Sequence, residues 1–374
     1  MYTRNTGFSR RKNMRFFRRI TMKKQYLVVF ILILFLLSSC SNKTGLKSTE
    51  EQNKNQADNK KSKITISHEV SEDMTKHTMF QKFKELVEKN SNGKFDVEIF
   101  PNAQLGGDDE AVASTQQGNI TISAPSAALL GNFSPALQVF DLPFIFKDSK
   151  TAHQTLDGDV GSNLLKKLED KGLVGLGFSE NGWRQLTNSK KSITSPDQLN
   201  GLKIRTMNSP IHITAWKQLG ANVTPMSFTE VFTSLSQGTI DGQENPLQII
   251  YSMKLYEVNK YVTLTGHIYD PEPIIINKKF FDSLSPQNQK IIQDAAKEVI
   301  TLERTLNQNS ESDIRKKLGE KGAVVADLSP EQRQVWVDKV KPIYKQYANT
   351  IGSNDIKAVL KAAGNSTLLD YMNQ

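Results

Sequence analysis

Cysteine is almost absent from the 374-residue sequence, in which Cys40 is the only one. A chain with one cysteine has no disulfide of its own and no thiolate chemistry in its body. Its stability must therefore come from a hydrophobic core. The chain is long enough for a sizeable core, and at this length a core usually divides into two lobes.

Motifs of catalysis are also missing. The histidines are far apart in the sequence, and no two of them have the spacing of a zinc site on one helix: His68, His77, His153, His212 and His267. There is no GxSxG motif and no P-loop, and GLVGLGF at 172–178 lacks the third glycine of a Rossmann fingerprint. We therefore expect no metal, no cofactor and no enzymatic activity.

Excess positive charge is absent outside the N-terminal region. The chain has 48 Lys and Arg against 39 Asp and Glu, and nine of the basic residues lie within 1–39, where there is no acidic residue. The remainder of the chain has 39 residues of each sign and a formal net charge of zero. A body balanced in this way gives no electrostatic reason to expect a nucleic-acid partner.

Residues 1–39 resemble the signal peptide of a bacterial lipoprotein. A basic stretch precedes an apolar run of 12 residues, Tyr26–Leu37, which is shorter than the roughly 18 residues of a membrane-spanning helix. The run ends in LSSC, with an aliphatic residue three positions before Cys40. The resemblance implies cleavage before Cys40, a lipid on its sulfur, and export to the outer face of the cytoplasmic membrane. An uncleaved anchor is the alternative, and it leaves the body on the same side.

Residues 40–62 have no aromatic residue and a single leucine. Such a segment cannot bury enough apolar surface to become ordered, so we expect a flexible, lipid-anchored tether. The folded body is expected at 63–374.

Within this body, strand and helix patterns alternate. KITIS at 63–67, KFDVEIF at 94–100 and GLKIRTM at 201–207 alternate as strands do, and helical spacing follows the first and third of them. This order predicts an α/β fold with mixed, largely parallel sheets. A helical pattern from about 286 to 318 is much longer than the usual helix and is expected to span two lobes.

Three consecutive acids, Asp108, Asp109 and Glu110, allow two interpretations. Paired carboxylates are the catalytic groups of glycoside hydrolases. Acids directly after glycines are also typical of a helix start, where they interact favourably with the helix dipole. The second interpretation is the favoured one.

Two arginines follow or interrupt strand patterns. Arg184, in NGWRQLTN, is expected where a loop leaves the strand GLVGLGF, and Arg205 lies inside the strand GLKIRTM. Guanidinium groups at neighbouring strand ends can hold a carboxylate through parallel hydrogen bonds, and ligands of α/β sheets bind beyond such ends. For an isolated strand arginine, a structural ion pair or a solvent-directed side chain is the more common explanation.

The ordered motifs of the body resemble a known family, the extracytoplasmic solute-binding receptors of tripartite ATP-independent periplasmic (TRAP) transporters in the C4-dicarboxylate-binding, or DctP, family. The resemblance runs from about residue 64 to the C-terminus. Its motifs are FPNAQLGG, QQGNITIS, VFDLPFIF, GWRQLTN, PDQLNGLKIRTMNSP and GANVTPMSFTEVFTSLSQGTIDGQENPL.

This resemblance implies a two-lobed, periplasmic-binding-protein-like fold with hinge crossover strands and a long lobe-spanning helix. Lobe I is then expected at about 63–181 and 270–309, and lobe II at about 182–269 and 310–374. The lobes would close on a ligand held in the cleft between them.

The resemblance also implies roles for particular residues. Arg205 would be the main partner of the ligand carboxylate, Arg184 a second arginine, and Asn245 an amide that hydrogen-bonds the same carboxylate. Phe228 would pack on the carbon skeleton of the ligand. Asn245 could instead be a turn residue before Pro246, and Phe228 a hydrophobic staple.

Weaker candidates for the remainder of the pocket are Trp183, His68, Gln104 and Asp108. Sialic-acid receptors of the family have a glutamate after the strand that corresponds to NITIS, whereas this chain has SAPSAA at 123–128. The difference argues against sialic acid and leaves C4-dicarboxylates or sugar acids such as uronates.

The expected function is capture of an organic acid and its delivery to the small and large TRAP membrane subunits. One alternative is a ligand-sensing lipoprotein that serves a signalling receptor. Another is a surface glycoside hydrolase acting through Asp108 and Glu110, although no acid, base and nucleophile are placed together.

Overall fold

The computed structural model describes residues 61–374. The predicted signal peptide, Cys40 and almost all of the tether lie outside the described residues. Ten strands are present in this range: β1 Ser62–Ser67, β2 Phe95–Phe100, β3 Ile122–Ser123, β4 Leu173–Asn188, β5 Lys203–Thr206, β6 Asn222–Pro225, β7 Gly242–Pro246, β8 Tyr261–Leu264, β9 Tyr269–Asn277 and β10 Val324–Asp327.

The same residues form fifteen α-helices, joined by short 3₁₀ turns. They are α1 Thr75–Asn90, α2 Asp108–Gln117, α3 Ala127–Leu130, α4 Ser149–Asp157, α5 Asp159–Lys166, α6 Pro210–Leu219, α7 Val231–Ser236, α8 Leu247–Ser252, α9 Lys278–Asp282, α10 Pro286–Glu320, α11 Pro330–Val340, α12 Ile343–Gln346, α13 Ala348–Ile351, α14 Ser353–Ala362 and α15 Ser366–Asn373. No helix among residues 61–374 is both long and apolar enough to cross a membrane.

Two sheets share the long strand β4. The first has the order β2-β1-β3-β9-β4, in which β1 runs parallel to β2 and β3 while β9 is antiparallel to its neighbours. The second has the order β10-β8-β4-β7-β5-β6, with β5 parallel to β6 and β7. The mixed α/β fold predicted from the sequence is confirmed.

Strand β4 passes from one sheet to the other. It pairs with β9 up to Trp183 and with β7 from Arg184 onward. The expectation that a loop begins near Arg184 is therefore wrong, because Arg184 lies within the strand. Register shifts between Gly175 and Gly177 and between Glu180 and Gly182 bend the strand, so its sequence does not alternate regularly.

Helix α10 is 35 residues long and packs along both sheets. Its N-terminal half contributes residues such as Ile292 and Val299 to the core beneath the first sheet, together with α1. Its C-terminal half places Ile314 and Leu318 in a separate core beside the second sheet. The long helix predicted at about 286–318 is confirmed.

A third and larger core joins the C-terminal helices to the segment that contains α3, α4 and α5. Leu137 and Phe140 from this segment share one cluster with Trp336, Tyr344 and Leu360. The lobe boundaries given above stay a prediction.

Helix α2 begins at Asp108 and ends before Gly118, so the helix-start interpretation of the three acids is confirmed. All three lie in the first turn, where negative charge is favourable. Gly118 closes the helix with a φ of 85°, a left-handed conformation that glycine adopts without steric cost.

Candidate functional site

A cleft lies between the first sheet with its helices and the second sheet. The first sheet and its helices contribute one wall and the second sheet the other. The lining consists of the acids Glu69, Asp108 and Asp109, the arginines Arg184 and Arg205, the polar residues Ser126, Asn181, Asn208, Ser227 and Asn245, and the apolar residues Leu129, Met207, Met226, Phe228 and Ile249.

Arg205 is a buried cation that has no ion pair within the described part of the chain. Strand β5 places it in the cleft wall with 2% of its surface exposed. Its Nε and Nη2 donate to the carbonyl oxygen of Met226 at 3.0 and 2.7 Å, and no carboxylate within residues 61–374 forms an ion pair with it. Burial lowers its pKa to about 10, so it remains charged at neutral pH.

Arg184, in contrast, is neutralised within the protein. Its Nη2 donates to Oε1 of Glu244 at 2.8 Å, and its Nη1 donates to Oδ2 of Asp270 at 2.7 Å. Its Nε also bonds Glu244, and Nη2 reaches Oδ1 of Asn245 at 3.2 Å. Burial would lower its pKa, but the Glu244 carboxylate raises it. Arg184 lines the cleft, but its positive charge is already balanced by the carboxylates of Glu244 and Asp270, so it attracts a ligand carboxylate only weakly.

Glu244 is the centre of this ion-pair network. It is completely buried, and His212 and His267 approach its carboxylate at 3.7 and 3.2 Å. Burial would raise its pKa, but Arg184 holds it well below the ordinary range. The network fixes the guanidinium of Arg184 and the strand β7, which contains Asn245.

Asn245 and Phe228 both reach the cleft. Asn245 is buried, accepts from Arg184 through Oδ1 and donates to Gln243 through Nδ2, which leaves one amide hydrogen available. Phe228 is half-buried and begins the 3₁₀ turn after β6. The structure therefore brings together the four main candidates, Arg205, Arg184, Asn245 and Phe228.

The weaker candidates differ in whether they line the cleft. Asp108 lines the cleft, whereas His68, Gln104 and Trp183 do not. His68 is buried beside His77, with 3.0 Å between their ring nitrogens, and burial lowers its pKa to about 3. Gln104 is exposed in the loop after β2. Trp183 lines a different cavity and donates to Ser149 Oγ at 2.9 Å.

Sequence reasoning missed Glu69, Glu244 and Asp270. Glu69 lies in the cleft wall just after β1, and its Oε1 accepts from Lys76 Nζ at 3.1 Å. Burial would raise its pKa, but Lys76 lowers it to about 2. The available signal for Glu69 was its position directly after a strand pattern, whereas Glu244 lies inside β7 and Asp270 near the start of β9. Within residues 61–374 no cluster of His, Cys, Asp and Glu could hold a metal ion.

Comparison with known proteins identifies the family. Residues 66–350 match the model of the bacterial extracellular solute-binding protein family 7, DctP. The chain belongs to the DctP family. Members of this family are extracytoplasmic solute-binding receptors and not enzymes, so the glycoside hydrolase alternative is wrong.

Relatives with stated ligands support the same assignment. The 2,3-diketo-L-gulonate-binding periplasmic protein YiaO of Escherichia coli K12 is 38% identical over 71% of this chain and 81% of that protein. The sugar acid binding protein DctPAm of Advenella mimigardefordensis, solved with galactonate, is 38% identical with a TM-score of 0.80, over 82% of this chain and 99% of that one.

A TRAP periplasmic solute-binding protein from Shewanella oneidensis, solved with bound succinate, is 34% identical with a TM-score of 0.78. The alignment covers 81% of this chain and 100% of that one. The two-lobed receptor fold expected for this DctP-family chain is thereby confirmed, and the ligands of its neighbours include both sugar acids and a dicarboxylate.

Proposed function

We propose that this DctP-family protein is the solute receptor of a TRAP transporter and holds the carboxylate of an organic acid at Arg205. The observation that supports this most strongly is a charged guanidinium that is 2% exposed, lines the cleft and has no ion pair within residues 61–374. Burying a charge without a partner is unfavourable, so an anionic ligand would complete the site.

In this proposal the remaining cleft residues orient the ligand. The free amide hydrogen of Asn245 donates to the same carboxylate, and the ring of Phe228 packs on the carbon skeleton. Arg184 contributes mainly by holding the wall in place, because its hydrogen bonds go to Glu244 and Asp270. The positions and charges of these residues support the proposed roles.

Capture proceeds without chemistry. A ligand that binds the closed state more tightly than the open state shifts the receptor toward the closed state. Strand β4 and helix α10 pass along both sheets, so they are the elements that would bend during closure. The closed receptor would be recognised by the integral membrane subunits of the transporter. This role is favoured over a sensor for a signalling receptor by the TRAP receptor among its structural neighbours.

We further propose that a lipid on Cys40 anchors the receptor to the outer face of the cytoplasmic membrane. The LSSC sequence at the end of a short apolar run supports this. Replacement of Cys40 by serine should move the protein from the membrane fraction to the soluble fraction, and retention in the membrane fraction would contradict the anchor.

The receptor assignment is tested by a thermal-shift screen of purified residues 61–374 with dicarboxylates, aldonates and uronates. A ligand that binds only the folded protein raises the melting temperature, by an amount that grows with its concentration over Kd. At least one carboxylate should give a saturable increase, and the neutral parent sugars should give none. Absence of a shift with every acid at millimolar concentration would contradict the proposal.

A further inference from the structure

The two walls of the cleft differ in charge. The wall from the second sheet presents the cation Arg205, whereas the wall next to the first sheet presents Glu69, Asp108 and Asp109. Lys76 is close to the acidic wall but is buried behind it, where it donates to Glu69 and, at 2.7 Å, to Glu272. The positive charge of Lys76 is therefore paired with these two carboxyl groups and does not face the ligand.

The acidic wall contains an unused hydrogen-bond acceptor. Glu69 is 8% exposed, and its Oε2 has no hydrogen-bond donor among residues 61–374. Burial and the neighbouring Glu69 raise the pKa of Asp108 well above its ordinary value. The lowered pKa of Glu69 keeps this carboxylate ionised at neutral pH, and the two carboxyl groups together offer several lone pairs. One oxygen of Asp108 accepts from the backbone nitrogen of Ser126 at 3.3 Å.

Among the described residues that line the cleft, these contacts leave Arg205 as the one cation without an ion pair. A dicarboxylate would place its first carboxylate at Arg205 and its second against the acidic wall, because the nitrogens of Arg184 are taken by Glu244, Asp270 and Asn245. Like charges in such contact oppose binding strongly. Hydroxyl groups would instead donate to the unused oxygens, so a polyhydroxylated tail suits this wall.

We propose that the receptor selects monocarboxylates with a polyhydroxylated tail, such as aldonates or uronates, over dicarboxylates, and that Glu69 and Asp108 are the residues that determine this specificity. The inference rests on the proposed binding of a carboxylate at Arg205. It extends that proposal by assigning the opposite wall and the class of acid.

Galactonate and galactarate are a matched pair of probes. They have the same carbon chain and the same internal hydroxyls, and they differ only at C6, which is a hydroxymethyl group in the first and a carboxylate in the second. Titration calorimetry at pH 7.5 should give a Kd for galactonate at least tenfold below that for galactarate. Threonate and tartrate provide the corresponding comparison for a shorter chain.

Variants locate the source of the discrimination. Asp108→Asn keeps the shape of the side chain but replaces a carboxyl group with an amide that can donate, so it should reduce the Kd ratio of galactarate to galactonate at least threefold. Asp109→Asn removes a charge from the same wall without disturbing the Lys76 contacts, and it should reduce the ratio in the same direction. Glu110→Gln is the control, because Glu110 lies in the same helical turn but is exposed outside the cleft lining.

The outcomes separate this inference from the receptor assignment. Galactarate or tartrate binding as tightly as the matched aldonate, or succinate binding when no aldonate does, would overturn the inference and leave a carboxylate receptor intact. An unchanged ratio in both aspartate variants would overturn the role of the acidic wall. If no acid binds at all, the receptor assignment itself fails, and the inference fails with it.

Discussion

The guanidinium of Arg184 lies against the carboxylate of Glu244, with Nη2 2.8 Å from Oε1, on adjacent antiparallel strands. Arg205 lies on the other side of the same strand β7 and has no such partner within residues 61–374. Two arginines that appear equivalent in the sequence therefore have different electrostatic surroundings, and they should respond differently to replacement.

Arg184→Ala should lower the free energy of unfolding by about 3 to 5 kcal/mol, because the change leaves the buried carboxylates of Glu244 and Asp270 without their cation. Urea unfolding followed by circular dichroism measures the loss. Lys203→Ala is the control, since Lys203 is exposed on β5 and should change stability by less than about 0.5 kcal/mol. Equal stability of the Arg184 variant and the wild-type protein would contradict the ion-pair network as a stabilising element.

Arg205→Ala should abolish measurable binding while the thermal unfolding transition stays cooperative. Two charge-assisted hydrogen bonds to a carboxylate contribute about 3 to 6 kcal/mol, so the Kd should rise by a factor of about 150 or more. Arg205→Lys should be intermediate, because an ammonium group retains the charge but lacks the planar fork. The comparison is made by calorimetry with the best ligand of the screen, and unchanged affinity of the alanine variant would remove Arg205 from the site.

Much of the fold was predictable because regular strands and amphipathic helices have simple periodicities. The apolar face of β2 and the long helix α10 follow from such patterns. Arg205 was also identifiable, since a cation in an apolar strand needs an explanation. The length of β4 was not predictable: Gly177 and Gly182 have φ values of 146° and 109°, and a stretch with such glycines resembles a loop until the partner strand β9 is known.

The electrostatics of the cleft could not be predicted from the sequence. Glu244 is 60 residues from Arg184 in the chain, and only the antiparallel pairing of β4 with β7 brings the two together. Glu69 and Asp108 likewise meet because β1 and the start of α2 share one wall of the cleft. Contacts between residues distant in sequence depend on the register of the sheets, which local patterns do not specify.

Glu303 on α10 should make stability depend on pH. It is buried, its Oε2 accepts from the backbone nitrogen of Glu180 at 3.1 Å, and burial raises its pKa from 4.5 to about 8. Between these values the folded protein holds a proton that the unfolded chain releases, so this residue lowers the free energy of unfolding as pH rises, by at most about 1.4 kcal/mol per pH unit.

The measurement is the difference in unfolding free energy between the wild type and Glu303→Gln at several pH values from 4.5 to 8. The stability of the wild type relative to the variant should fall steadily as pH rises, because glutamine does not titrate. Glu298→Gln provides the control, since Glu298 is exposed on the same helix. A pH-independent difference for Glu303 would show that its carboxyl is ionised in the folded protein.

His212 and His68 should titrate on opposite sides of neutral pH. Burial would lower the pKa of His212, but the Asp141 carboxylate at 3.4 Å raises it from 6.5 to about 9, whereas burial lowers that of His68 to about 3. Nitrogen-15 NMR should therefore show His212 protonated at pH 8 and His68 neutral at pH 5, with His212→Gln used for assignment.

The stabilisation of the folded protein by protonated His212 is then fully present below pH 6.5 and is lost as pH rises through 9. Midpoints near 6.5 for both imidazoles would contradict the buried charge next to Glu244, and with it the electrostatic support of the cleft wall.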